Sequence, residues 1–241
     1  MIRAVLALPS FVVATLLGSM LAVLLGIFDK TGDSVLALAR LWARVLLVVP
    51  GVKLEVNMRV PLDPKRPYVF MANHASMVDI WAMFVGLPVR FRFIAKKQLS
   101  RIPLFGWAMR AGRFIFIDRQ NAAAARRSIQ EAARRIECGQ SVIIFPEGTR
   151  TRDGKLAPFK KGGFHLAMDS GVEIVPVAII GSRPIMPRGS ALIRRGVVRL
   201  EVGEPIATAG LRTADREALI ARVHGEVAAM LGEAPGPELN K

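Results

Sequence analysis

One cysteine, one tyrosine and three histidines in 241 residues remove several possibilities at once. The single thiol, Cys138, admits no intramolecular disulfide and no cysteine-based zinc site, which suits a reducing compartment. Placed just before Gly139, it reads as a small residue closing a helix. His74, His165 and His224 are too few for a histidine-rich metal centre, although a mixed carboxylate site stays open. There is no G-x-S-x-G, no H-E-x-x-H and no G-x-G-x-x-G, so serine-hydrolase, zincin and Rossmann readings lack their motifs. The near miss "GTRTRDGK" has one residue too many for a P-loop and no Ser or Thr after Lys155. Acidic residues are also scarce, 19 against 34 basic ones of which 25 are arginine, giving a net charge of +15. That balance calls for anionic partners: nucleic acid, lipid headgroups or phosphorylated substrates. With no RNP-like or helix-turn-helix pattern, and with basic residues in the connections after strands, no nucleic-acid partner is expected.

What the chain has in quantity is apolar sequence, 52% of its residues. Residues 4–28 carry no charge, and as a helix of ~1.5 Å rise per residue they would reach roughly 37 Å, enough for a bilayer core. The run is longer than a signal-peptide core, and no clear A-x-A site follows it. A second apolar stretch, 34–52, carries Arg40 and Arg44 one turn apart and stops at Pro50-Gly51. It reads as an interfacial helix whose arginines reach the headgroups. The two segments, joined by "DKTGD", predict a membrane-associated two-helix hairpin over residues 1–52. One span with a surface helix and a re-entrant pair are both compatible with it.

From residue 53 the pattern becomes α/β, with the short apolar segments "KLEV", "YVFMAN", "FRFIA", "RFIFID", "SVIIFPE", "EIVPVAII" and "VVRLEVGEPI" separated by helical stretches. The helix expected over 121–138 has Asn121 as N-cap and ends at Gly139. Its Arg126, Arg127, Arg134 and Arg135 read as a solvated face or as a surface for acidic lipid or a carrier protein. A last helix over about 213–232 is expected to pack on the domain, with His224 solvated, ahead of a loose tail at 233–241.

Two constellations carry chemistry. In "NHASMVD", His74 stands at the C-terminal lip of a strand, where open α/β sheets place ligands. Inside one helix, His74 and Asp79 would lie about 140° apart, so they meet only if the helix starts after His74. Ser76 as N-cap and Asp79 at N3 provide that start, and equally provide a reading in which Asp79 merely completes a capping box. On these residues alone both readings stand. In "FPEGTR", a strand runs into a Pro-Glu-Gly turn followed by Arg150, Arg152 and Lys155, a suitable cradle for phosphate through backbone amides at Gly148 and Thr149 and a guanidinium. Lys160 and Lys161, and Lys96 and Lys97, again place basic residues near strand ends.

In order and spacing, "NHASMVD", "FIDR" at 116–119, "FPEGTR" at 145–150 and "VPVAI" at 175–179 resemble the four blocks of the glycerolipid acyltransferase family, and most of all its bacterial 1-acylglycerol-3-phosphate acyltransferases. The likeness covers roughly residues 50–205 and extends to the hydrophobic hairpin. It implies a sheet flanked by helices over 53–232, and transfer of an acyl group from acyl-CoA or acyl carrier protein, as co-substrate, to the free hydroxyl of a lysophospholipid acceptor. No further cofactor or metal is implied. It further implies His74 as general base, Asp79 as its partner, Lys96 and Arg150 on the acceptor's phosphate, and Glu147, Gly148 and Thr149 shaping the turn. Lys97 is the alternative to Lys96, and Arg119 is a weaker candidate. The implied location is the cytoplasmic face of a bacterial-type cytoplasmic membrane, on an anionic surface. Acceptors such as glycerol 3-phosphate or a lyso-aminolipid, or hydrolysis of the thioester, remain alternatives. Gly112 sits one residue further from "FIDR" than is usual in the family, and Thr151 replaces a common serine.

"IPLFGWAM", 102–109, reads as acyl groove, lipid contact or plain core, with Phe105 and Trp107 as interfacial anchors. His165 is expected to be structural.

Overall fold

Each of the seven apolar segments forms a strand in the computed structural model, which describes residues 2–118, 122–137 and 139–233. These are β1 (Val52–Met58), β2 (Val69–Ala72), β3 (Phe91–Lys96), β4 (Ile115–Ile117), β5 (Ser141–Ile144), β6 (Ile174–Ile180) and β7 (Gly196–Val202). They form one sheet in the order β1-β7-β6-β2-β5-β3-β4. Every neighbouring pair is parallel except β6 and β7. β2 and β5 are buried along their whole length, because helices cover both faces of the sheet; this is why they read as unbroken apolar runs. The twofold period still assigns the faces. Phe70, Ala72, Ile143 and Val177 pack with α2 (Asp33–Val48) and α3 (Val78–Gly86). Val69, Met71, Val142 and Ala178 pack with α5 (Ala122–Glu137), α6 (Gly162–Ser170) and α8 (Arg216–Leu231). Since β6, β2, β5 and β3 run side by side in one direction, their C-terminal ends open along one edge, the position where such sheets hold ligands.

The N-terminal hairpin forms and is bound to this domain. α1 (Ile2–Phe28) and α2 are tied by a hydrogen bond from Trp42 Nε1 to Thr15 Oγ1, 3.1 Å. Their turn is ordered by Asp29, whose carboxylate accepts from Thr31, Gly32 and Ser34. Arg92, fully buried in β3, then reaches out to Thr31 O (2.8 Å) and the Asp33 carboxylate (2.9 Å). α1 crosses α4 (Phe105–Ala111) so closely that a Cβ on Gly26 would overlap that of Ala111. The expectation for Arg40 is corrected here: its guanidinium points inward, donating to Leu87 O (2.9 Å) and Val89 O (2.6 Å), and does not reach headgroups. Arg44 is exposed. The opposite side of α1, including Leu8, Val12, Leu16, Met20, Leu24 and Phe28, is an exposed apolar stripe. Leu8–Phe28 is long and apolar enough to cross a membrane, with mean hydropathy 2.5.

In α5, Arg134 is exposed and Arg135 pairs with Glu131 at 2.7 Å. Arg119, Asn121, Cys138, the side chains of Arg126 and Arg127, and the tail beyond residue 233 lie outside the described residues. His224 departs from its expectation: it is half-buried edge-on against Phe159, with ring centroids 4.8 Å apart, and burial lowers its pKa.

Candidate active site

Beyond the end of β2, the Asn73 side chain continues the ladder. Its Nδ2 donates to Ile179 O (3.0 Å) and its Oδ1 accepts from Ile179 N–H (2.7 Å), so the chain stays fixed to β6 one step past the last strand pair. His74 therefore leaves the sheet from a rigid post. One oxygen of the fully buried Asp79, Oδ2, faces His74 Nδ1 at 2.8 Å and accepts the N–H groups of Ala75 and Ser76 at 2.7 Å each. A carboxylate oxygen only accepts, so Nδ1 carries the ring proton and Nε2 presents its lone pair. The imidazole lies flat on Phe145, with centroids 4.0 Å apart and planes at 13°.

The two sequence readings of this stretch prove compatible. Regular helix starts at Val78 with Met77 at its N-cap, one residue later than the expected Ser76 N-cap, so Asp79 stands at N2 and accepts Ser76 N–H from inside the first turn. Ser76 Oγ does not complete the expected capping box: it accepts Val78 N–H (3.1 Å) and donates to Met186 O (2.7 Å). One carboxylate both fixes the helix start and orients the imidazole.

The FPEGTR turn abuts this loop. Thr151 N–H donates to His74 O at 2.8 Å, and Glu147 accepts the N–H groups of His74 and Ala157 (3.1 Å). Gly148 holds a left-handed φ of +80°, and a Cβ there would stand 2.8 Å from Lys160 Nζ. Glu147 is 4% exposed, and burial pushes its carboxyl up to about 7. The sign of the consequence is unusual for a carboxylate. Because the folded protein holds this proton to higher pH than the unfolded chain, stability falls as pH rises from about 4.5 to about 7, by on the order of 3 kcal/mol. Glu147→Gln is expected to lack this slope; denaturation midpoints of both proteins at pH 5 and pH 8 measure it, and identical pH dependences would remove Glu147 as its origin.

A cavity of about 450 Å³ opens at this edge of the sheet. Its polar end is lined by His74, Lys96, Gly148, Thr149, Arg150 and Arg188, and its remainder is mainly apolar, walled by residues such as Gly18 and Ala22 of α1, with Thr15 and Ser19 beside them, Leu38 of α2, and Phe105 and Met109 of α4. Burial and the neighbouring Arg188 charge hold Arg150 below its ordinary pKa.

Of the residues singled out in the sequence, His74, Lys96, Gly148, Thr149 and Arg150 line this cavity. Asp79 and Glu147 stand behind it, each buried and holding the His74 loop. Lys97, the alternative to Lys96, is not among the lining residues and pairs with Asp118 at 3.0 Å. Lys161 pairs with Glu217 at 2.9 Å, and Arg152 offers its carbonyl to Arg183. "IPLFGWAM" divides between two roles: Phe105, Ala108 and Met109 line the cavity, while Trp107 and Ile102 are exposed. His165 Nε2 meets Arg216 Nη1 at 2.9 Å, away from the cavity. Asn73, Phe145 and Arg188 were not singled out. Arg188 lies past the short helix that follows β6, beyond the reach of the strand-end pattern of basic residues, and nothing in the sequence marks Phe145 as a stacking partner.

A family model described as acyltransferase matches residues 53–180. The chain is 34% identical over 171 residues to a chloroplastic 1-acyl-sn-glycerol-3-phosphate acyltransferase of Brassica napus, covering 70% of this chain and 49% of that protein. It is 35% identical over 175 residues to the human beta form, covering 72% of this chain and 63% of that one. The chain thus spans about half the length of the plant relatives it matches. The crystal structure of the 1-acyl-sn-glycerophosphate acyltransferase PlsC from Thermotoga maritima superposes with a TM-score of 0.78 at 26% identity, covering 95% of both chains. With the family model matched over more than half of this chain, and the fold shared with that structure, the chain belongs to the acyltransferase family.

Proposed function

We propose that this protein transfers a fatty acyl group from acyl-CoA or acyl carrier protein to the sn-2 hydroxyl of 1-acyl-sn-glycerol 3-phosphate, giving phosphatidate. The observation that carries this reading is the cavity itself, with a base and the cations Lys96 and Arg150 at one end and hydrocarbon-sized apolar space behind them. The acceptor hydroxyl attacks the thioester carbonyl while His74 Nε2 takes its proton. As the carbon–sulfur bond breaks, the imidazolium returns that proton to the leaving thiolate. Asp79 holds the tautomer and balances the transient positive charge, as the acid of a Ser-His-Asp triad does. Arg150 and Lys96 hold the acceptor phosphate, fixing the hydroxyl near His74, and such positioning removes several kcal/mol from a barrier. Gly148 and Thr149 shape the phosphate turn, and Glu147 positions the loop behind it. No resident cofactor enters the scheme.

The exposed stripe of α1, with Leu41, Val45, Ile102 and Trp107, supports placing the hairpin in lipid, and the net charge of +15 suits anionic headgroups. We place the catalytic domain on the cytoplasmic side of a bacterial-type cytoplasmic membrane, where both thioester donors occur.

The test is incubation of purified protein with 1-acyl-sn-glycerol 3-phosphate and either donor, reading phosphatidate by mass. Thiol release that is undiminished without acceptor would instead identify a thioester hydrolase. Gly18→Leu adds bulk to an apolar wall of the cavity, where a Cβ on Gly18 would stand 3.8 Å from its nearest neighbour, Trp42 Cδ1. It is expected to shift donor preference towards shorter chains across a saturated acyl-CoA series; an unchanged profile would remove the α1 wall from acyl recognition.

A further inference from the structure

We propose that Arg188 is a second guanidinium on the acceptor's phosphate, acting with Arg150 and Lys96 to select a phosphate dianion over a neutral headgroup. The proposal rests on the phosphate-acceptor reading above and adds a specificity-determining residue to it. Arg188 lies 38 positions after Arg150, in the turn that follows α7 (Ser182–Ile185), yet both line the polar end of the cavity beside His74. Its segment is fixed to the catalytic loop from two directions. Met186 O accepts the Ser76 hydroxyl at 2.7 Å, and Arg188 Nη1 donates to Arg150 O at 2.9 Å.

That one bond uses one of the five N–H donors of the Arg188 guanidinium. Among the described residues, no carboxylate pairs with Arg188, Arg150 or Lys96. Arg150 and Arg188, without ion-pair partners at one opening, repel each other, and an anion bound between them relieves that repulsion. A phosphate monoester carries about −1.5 to −2 charges near neutral pH and has oxygens enough for two guanidinium forks and an ammonium.

The rival reading is that Arg188 merely straps its segment to the loop. Arg183 provides the internal control. It makes the same kind of contact, donating from Nε and Nη2 to Arg152 O at 3.2 and 2.9 Å, but is not part of the cavity wall.

The experiment uses the full chain in detergent micelles, saturating acyl-CoA, and two acceptors: 1-acyl-sn-glycerol 3-phosphate and the phosphate-free 1-acylglycerol. Arg188→Gln is expected to raise KM for the phosphate acceptor by about 10- to 100-fold, the worth of a charge-assisted contact, with kcat and donor KM little changed. Arg188→Lys should recover part of that loss, because it keeps the charge without the fork. Arg183→Gln should resemble wild type in acceptor KM. An unchanged KM in Arg188→Gln, or a kcat loss that Arg188→Lys shares in full, would assign Arg188 to the strap and overturn the proposal. Failure of the underlying reading is separate and visible in the unmodified protein: it would use 1-acylglycerol as well as the phosphate acceptor, or would use neither.

Discussion

Replacing His74 by alanine lowers kcat for acyl transfer by about 10²- to 10⁴-fold while leaving the fold in place. The rate loss follows from the geometry: a hydroxyl is a weak nucleophile at neutral pH, and the Nε2 lone pair of His74 is the base presented at the cavity's polar end. The fold survives because the imidazole contributes mainly a flat contact on Phe145 and one bond to Asp79. Asp79 keeps its two backbone donors in the variant, so the helix start does not come apart. The residual rate should be that of positioning alone, with acceptor KM close to wild type, since Arg150 and Lys96 are untouched. Steady-state kinetics together with a melting temperature within a few degrees of wild type check the prediction; an unchanged kcat would sink the general-base mechanism outright.

Asp79→Asn has a kinetic effect of comparable size, on the order of 10³- to 10⁴-fold in kcat, by a different route. An amide can keep its oxygen where Oδ2 now sits, but its NH₂ then occupies the Oδ1 position, a buried atom with no hydrogen-bond partner among the described residues. Stranding a donor there costs about 1–3 kcal/mol. The flipped amide instead sets its NH₂ against two backbone donors and forces His74 to turn its protonated nitrogen towards the substrate. Both arrangements lose the negative charge that stabilises an imidazolium. Asp79→Ala leaves Ala75 and Ser76 N–H without their acceptor as well, so it should be the less stable of the two variants. Measuring kcat and thermal stability for both separates the roles. An Asn variant within tenfold of wild-type kcat would reduce Asp79 to a helix cap.

The sheet was legible because burial on both faces writes strands as short unbroken apolar runs, and β2, β5 and β6 are of that kind. The His74–Asp79 pair was legible because the S-x-x-D pattern pointed to a helix start just after His74, one residue short of where regular helix begins, and local hydrogen bonding decided the rest. What stayed hidden depends on contacts remote in sequence. Arg40 looks like a headgroup arginine until the carbonyls of Leu87 and Val89, some fifty residues away, come within reach. Lys96 and Lys97 are equivalent on paper, but consecutive residues at a strand's end project differently, and only one reaches the cavity. The burial of Glu147 is likewise set by the chain at Ala157 and the His74 loop, which close around it.

The close approach of α1 to α4 at Gly26 leaves no room for a flexible joint between the hairpin and the domain at that crossing. α1 presents Leu16, Met20 and Leu24 outward while Thr15, Gly18, Ser19 and Ala22 form part of the cavity wall. The tight crossing therefore also fixes which residues of α1 face the cavity and which stay exposed. Cutting the hairpin away would not release a soluble catalytic domain with an intact site. It would remove one side of the container.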